Sequence, residues 1–283
     1  MEINEMVTTS GNLMAVPQGP MIVPVRGAGE GITFSLVVPT LNESQNLEEL
    51  IAQLEPAIAS AVGQSYEILV VDDDSADRTW EVAAAIAARN PRVRAMRRIG
   101  ERGLATAVVR GWQVARGEWL GVIDADLQHP PEAIARLLQA ALAGADLAVA
   151  SRDAEGGGTS DWPALRGFIS RSSRALGRAV LPRELSRVSD PMTGFFIVRR
   201  ESVQGVRLNP CGYKILVEIL VRAHIERIAE VGYVFRSRQR GESKASLKIF
   251  AEYVQHLVRL RREVRKAQAE ARPKSEAAPL SRP

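Results

Sequence analysis

Apolar positions along this chain recur in two rhythms that take turns. Residues 34–38 read as a buried strand ended by Pro39. From about Glu43 onward, Leu47, Leu50, Ile51 and Leu54 return at three- and four-residue intervals, as on one face of a helix, with Asn42 placed to cap it. Residues 66–71 form the next strand-like run. An alanine-rich helix follows over about 79–88, with Ser75 and Asp77 as candidate caps. The pattern continues with a short strand at 93–96, a helix at 104–115 and a strand from Trp119. A helix opened by Pro130 and Pro131 then leads to a strand at 146–150. Such alternation predicts an α/β fold, a mainly parallel central sheet with helices on both faces.

The second half is less regular. Gly156, Gly157 and Gly158 mark a flexible loop, and strands are expected at 193–198 and 228–235. Between them, residues 164–180 predict a two-faced helix. Leu165, Phe168, Ile169, Leu176 and Val180 share one side, while Arg166, Ser170, Arg174 and Arg178 recur every fourth residue on another. A row of arginines repels itself unless it meets anions, so it is either a solvated face or a docking surface for phosphate or anionic lipid. Residues 1–31, rich in Gly, Pro and polar residues, read as a mobile arm, and 32–246 as the main domain. Residues 247–266 read as an amphipathic helix whose apolar stripe runs into Arg259, Arg261, Arg262, Arg265 and Lys266, and 267–283 as a disordered polar tail.

The 283 residues are 46% hydrophobic and 25% charged, enough for one domain with a real core. A single cysteine, Cys211, excludes an internal disulfide and fits a reducing compartment. Three scattered histidines argue against a histidine-based zinc site. A net charge of +4 permits anionic partners, though no nucleic acid is expected. No stretch has the length of a membrane span and no signal peptide opens the chain, so the expectation is a cytoplasmic protein, peripheral on the membrane.

Chemistry concentrates where strands end. The Trp119 run stops on Asp124 and Asp126, separated by one alanine, with Gln128 repeating the spacing. Alternate residues of an extended segment point the same way, so the three oxygens can converge on Mg²⁺ or Mn²⁺ completed by substrate phosphates. A solvated strand exit is the plainer reading of so short a pattern. A second cluster of the same kind, Asp72 to Asp74 with Asp77, ends the Tyr66 run. Two acid-tipped strands of an open sheet point to one crevice. Asp190 stands just before a strand, and Arg238 to Lys244 form a basic, glycine-bent loop before a helix.

Taken together these segments resemble the family 2 glycosyltransferases of GT-A (Rossmann-like) fold, most closely the dolichol-phosphate mannosyltransferase-like group. The matching pieces are Val38-Pro39-Thr40-Leu41-Asn42-Glu43, Val70 to Asp77, Arg102-Gly103-Leu104, Asp124-Ala125-Asp126-Leu127-Gln128, Ser151-Arg152, Asp190 to Gly194, and Arg238 to Lys244. They stand in the family's order over about residues 34–260. The resemblance implies a GT-A catalytic domain over 32–246, a nucleotide-sugar donor (GDP-mannose foremost), a divalent cation and a polyprenyl-phosphate acceptor. It places Pro39, Leu41, Glu43 and Asp73 at the donor nucleotide. Asp124, Asp126 and Gln128 fall at the metal and diphosphate, Arg152, Arg166 and Ser170 at the acceptor phosphate, and Arg238 and Lys244 at the donor phosphates. Asp126, Arg152 and Asp190 are the residues expected at the reaction, Asp190 in a positioning role. Because the acceptor phosphate is already an anion, one in-line attack with inversion needs no strong base.

Arg78 stands where similar members have glycine, and Leu41 where an aromatic is commoner. Membrane-spanning C-terminal segments found in some members are absent, so membrane access is expected through surface helices or an anchor protein. The competing expectations are UDP-glucose with undecaprenyl phosphate, and a nucleotide-binding regulator without turnover. A receiver domain would be far shorter than this chain.

Overall fold

The computed structural model describes residues 13–25, 32–160, 164–237 and 247–270, without the side chains at 164–166, 168, 169, 247–249 and 267. The strands are β1 (Leu13–Met14), β2 (Phe34–Thr40), β3 (Tyr66–Asp72), β4 (Val93–Arg97), β5 (Trp119–Val122), β6 (Leu147–Ser151), β7 (Gly158–Thr159), β8 (Phe196–Arg199), β9 (Ile228–Gly232) and β10 (Val234–Phe235). The helices are α1 (Ser44–Val62), α2 (Thr79–Arg89), α3 (Leu104–Val114), α4 (Ala133–Leu142), α5 (Ala164–Val180), α6 (Pro182–Leu185), α7 (Arg200–Val203), α8 (Ile215–Arg222) and α9 (Leu247–Glu270).

Eight strands form one sheet in the order β1-β4-β3-β2-β5-β8-β6-β9, and β8 alone among them runs antiparallel to its neighbours. Strands buried on both faces are largely apolar, as the runs of β2 and β3 show, and the polar pair buried inside them, Ser35 and Glu67, is satisfied by its own hydrogen bond at 2.7 Å. Alternation sorts those side chains into two cores. Leu36, Val38, Ile68 and Val70 face α1, α2 and α4, while Val37, Leu69, Val71 and Val122 face α3, α8 and the inner stripe of α9. The mainly parallel α/β architecture agrees with the expectation from sequence.

Several local expectations are corrected. Asn42 does not cap α1. It takes a left-handed backbone (φ 57°), and its side-chain oxygen accepts from the Ala76 and Asp77 amides, tying the two turns together. The strand expected at 193–198 begins only at Phe196, because Asp190 to Gly194 is turned rather than extended. The run 228–235 divides: β9 joins the main sheet and β10 pairs with β7. Gly232 ends β9 where the Glu155 carbonyl comes so close that a Cβ would not fit. Part of the expected arm is docked. Leu13 and Met14 pair with β4, Val23 is fully buried, and Arg110 and Gln113 donate to the Gly19, Pro20 and Ile22 carbonyls. Helix α9 continues to Glu270, past the expected end at 266.

Candidate active site

The carboxyl ends of β2 and β3 meet side by side, and their polar groups satisfy one another. Asp72 is fully buried and accepts from Thr40 Oγ1 at 2.8 Å and from the amide and hydroxyl of Ser75 at 2.9 and 2.6 Å. Burial pushes its carboxyl up, and the hydrogen bonds only partly offset that. Asp73 is gripped by Arg98 through Nε at 2.7 Å and through Nη2, and accepts the Gly103 amide at 2.7 Å. Arg98 has no exposure, and its other bonds go to Glu101, Thr106 and the Gly103 carbonyl. Asp74 pairs with Arg97, which lies 3.9 Å over the Trp80 ring. Asp77 accepts from Thr79 and from the Ser44 amide, so it helps begin α2 and α1 alike. Between these turns Arg78 is forced into a left-handed conformation, φ 61°, where glycine would rest without strain. Pro39 does not end β2 as expected: it lies inside the strand, paired with Val71, and the strand runs on to Thr40, with Leu41 half-buried beyond it. Glu43 is buried, with its carboxylate on Asn46 Nδ2 at 2.7 Å and its amide on Thr79 Oγ1 at 2.9 Å.

At the carboxyl end of β5 the arrangement differs. One carboxylate oxygen of Asp124, Oδ1, is buried with no hydrogen-bond partner among the described residues, and the other lies 3.4 Å from His129 Nε2. A Cβ on Gly194 would stand 2.9 Å from that carboxylate, so only a bare Cα leaves room for it. Leu127, buried and non-glycine, holds φ 58°, a conformation costing about 1–2 kcal/mol that turns the chain so that the Gln128 amide reaches Asp126 Oδ1 at 3.2 Å. Gln128 itself is buried. Its side-chain nitrogen donates to the Arg236 carbonyl at 3.0 Å and its carbonyl accepts the Arg236 amide at 2.8 Å, which pins the segment after β10 to the acidic turn.

The donor set, hard carboxylate oxygens with one buried oxygen lacking a partner, suits Mg²⁺ or Mn²⁺. No three His, Cys, Asp or Glu side chains among the described residues cluster closely enough to enclose a cation by themselves. Ligand oxygens from a substrate diphosphate would complete such a site.

Beyond β6, Arg152 and the fully buried Asp190 form a bidentate pair at 2.6 and 2.8 Å. Burial raises the Asp190 carboxyl, but the Arg152 bonds and charge, with Lys214 and Arg174, outweigh it and hold the group below the usual carboxylate range. Arg152 also lies over the Phe235 ring at 5.6 Å. Two members of the arginine row on α5 are spent inside the fold. Arg174 pairs with Asp153, and Arg178 donates to the Val188 and Ser189 carbonyls, so each has oxygen partners, although burial and the charges of Arg152 and Arg178 still push the Arg174 guanidinium down. Ser170 is half-buried on the same helix. The Arg166 side chain, and Arg238 and Lys244 altogether, lie outside the described residues.

Asp124, with Asp126 in the same turn, therefore stands at the carboxyl end of β5, and Arg152 with Asp190 beyond the end of β6, on the same edge of the sheet. Tyr233 joins the two halves: it is buried, and its hydroxyl feels the charges of Arg152, Asp190 and Asp124. Sequence reasoning missed Arg98, His129, Gly194 and Tyr233. His129 had a usable signal, its place directly after Gln128. Arg98 had none, being one of two arginines at the end of β4.

Residues 35–207 match the family model described as "Glycosyl transferase family 2". The dolichol-phosphate mannosyltransferase of Pyrococcus furiosus is 46% identical over 226 residues, 80% of this chain, and the match spans 63% of that relative's length. The dolichol-phosphate mannosyltransferases of Mycosarcoma maydis and Saccharomyces cerevisiae are 39% and 35% identical. Each match covers 81% of this chain, and 79% and 87% of those proteins. Among solved structures, glucosyl-3-phosphoglycerate synthase from Mycobacterium tuberculosis, in complex with Mn²⁺, UDP and glucosyl-3-phosphoglycerate, superposes with a TM-score of 0.61. It is 22% identical, with 81% of this chain and 78% of that chain covered, a likeness of fold.

Proposed function

The chain belongs to glycosyl transferase family 2, and from that premise we propose that it transfers mannose from GDP-mannose to the phosphate of a dolichyl-type polyprenyl lipid. The observation that carries the reading is the β5 terminus, where Asp124 keeps a buried oxygen without a partner beside Asp126 in a strained turn. Charge develops on a nucleoside diphosphate as it leaves, and a cation held by these oxygens would neutralise it. Asp124 and Asp126 are its protein ligands, with Gln128 holding their turn in shape. Pro39, Leu41 and Glu43 line the nucleoside side, and Asp73 shapes that wall through Arg98 and Gly103. Arg238 and Lys244 belong at the donor phosphates.

On the other side of the proposed site, Arg152 receives the acceptor phosphate, with Arg166 and Ser170 on α5. Asp190 orients the Arg152 guanidinium through its two bonds and, kept ionised by it, does not serve as a base. The phosphate oxygen then attacks the anomeric carbon in line, and configuration inverts. No described helix is long and apolar enough to cross a membrane. The lipid is reached from the membrane surface at the cytoplasmic face. The outer face of α9 is suited to this, where Val254 and Val258 line a shallow groove beside Arg259 and Arg262.

The test is transfer of radiolabelled sugar from GDP-mannose, and in parallel from UDP-glucose, to a polyprenyl phosphate. Organic-extractable label from GDP-mannose supports the reading. Label from UDP-glucose alone replaces the sugar and keeps the reaction, and extractable label from neither donor overturns the proposal.

A further inference from the structure

His129 is one of three histidines in the chain, and the reaction proposed above gives it no part. Its imidazole is 2% exposed and enclosed by aromatic rings, with centroids 5.4 Å from Phe195, 5.3 Å from Tyr233 and 5.0 Å from Phe235. Those rings come from the segment entering β8 and from β9–β10, so elements distant in sequence fix the ring plane. Nε2 faces Asp124 Oδ2 at 3.4 Å, and Nδ1 is buried with no hydrogen-bond partner among the described residues. The polar reason for burying an imidazole here therefore lies on the Asp124 side. A proton placed on Nε2 would point toward that carboxylate and leave a bare lone pair on Nδ1, the less costly atom to leave unpaired.

The carboxylate is constrained from a second direction. The Gly194 Cα approaches so closely that an added Cβ would lie 2.9 Å from Oδ2 and 3.1 Å from Oδ1. Asp124 thus has one oxygen turned to His129 and confined by Gly194, and the other, Oδ1, left without a protein partner. Imidazoles and carboxylates commonly act in this way, one group orienting another that meets the metal. The arrangement also ties the two halves of the site together. Phe235, which packs on His129, lies under the Arg152 guanidinium that grips Asp190.

We propose that His129 is a positioning residue that holds the Asp124 carboxylate with Oδ1 presented to the divalent cation. It rests on the reading of Asp124 as a cation ligand, and the test separates the two claims. Mn²⁺ binding to the purified protein with GDP present would be followed by electron paramagnetic resonance. The proteins compared are wild type, Asp124→Asn, His129→Leu and His129→Gln, each checked for folding by its thermal unfolding midpoint.

Leucine keeps an apolar filler in the aromatic cage and removes the donor, while glutamine restores a donor near the Nε2 position. The expected result is a Mn²⁺ dissociation constant raised about 10-fold or more in His129→Leu. Recovery to within about 3-fold of wild type is expected in His129→Gln, with a midpoint as low as that of the leucine variant. Unchanged Mn²⁺ affinity in His129→Leu, with Asp124→Asn weakened, overturns the positioning role and leaves a histidine that only fills the cage. Equal weakening in both His129 variants overturns it too, since the donor then does not matter. Unchanged affinity in Asp124→Asn overturns the cation reading beneath it.

Discussion

At the end of β3, Asp72, Asp73, Asp74 and Asp77 accept hydrogen bonds from Thr40, Ser75, Arg98, Gly103, Arg97, Thr79 and Ser44. At the end of β5, Asp124 keeps a buried oxygen that accepts no hydrogen bond among the described residues, and its other oxygen lies 3.4 Å from His129 Nε2. Both are acidic runs closing apolar strands, and β2 alone separates them in the sheet. The difference lies in what stands opposite. The β3 acids face side chains that complete them, so they build the floor and turns of the crevice. Asp124 faces Gly194 and a caged imidazole, which confine it without giving its Oδ1 a partner among the described residues, while Asp126 accepts the Gln128 amide. An acid cluster is thus read by its partners rather than its density, and the less satisfied one is where an external cation belongs.

The sharpest way to break this comparison is to remove one acid from each end. Asp126→Ala is expected to lower transfer roughly a hundredfold to a thousandfold while leaving the urea midpoint near wild type. Asp73→Ala removes the carboxylate that grips the fully buried Arg98 guanidinium, leaving Glu101 at 3.2 Å, and is expected to cost about 3 kcal/mol in urea unfolding. If Asp73→Ala unfolds like wild type, the β3 network does not have the structural role given to it here.

A smaller effect distinguishes the buried pair beyond β6. The Asp190 carboxyl titrates below its unfolded value of about 3.9, so its contribution is present above that pH and is lost as pH falls through the folded-state value. Stability of the wild type should therefore decline on acidification below about pH 5, and Asp190→Asn should flatten that part of the profile. A profile unchanged by the substitution would remove Asp190 as its source. The smallest effect concerns Arg78, whose side chain is largely exposed and whose φ is 61°. Arg78→Gly should raise stability by about 0.5–1 kcal/mol, with left-handed strain relieved and some backbone entropy lost against it. A loss of stability would mean that the Glu81 pair outweighs the strain.

Much of the architecture was legible because strands buried on two faces are largely apolar and their helices are amphipathic. The order of β2, α1, β3, α2 and the elements to β6 follows from that pattern. What was not legible depended on contacts distant in sequence. Nothing local shows that Asn42 would bridge to Ala76, or that Arg178 would be consumed by the Val188 and Ser189 carbonyls. The site divides in the same way. Asp124 and Asp126 were readable from strand-end spacing, whereas the burial of Arg98 beneath Asp73 and the aromatic cage around His129 exist only once the sheet has formed.

The comparison rests most directly on cation dependence. Sugar transfer would be measured for wild type, Asp126→Ala and the folded fraction of Asp73→Asn, with Mn²⁺, with Mg²⁺ and with EDTA. The account predicts that EDTA abolishes wild-type transfer and that either cation restores it. It predicts no rescue of Asp126→Ala by excess cation, and cation-dependent turnover retained in Asp73→Asn. Transfer that survives both EDTA and the loss of Asp126 would contradict it.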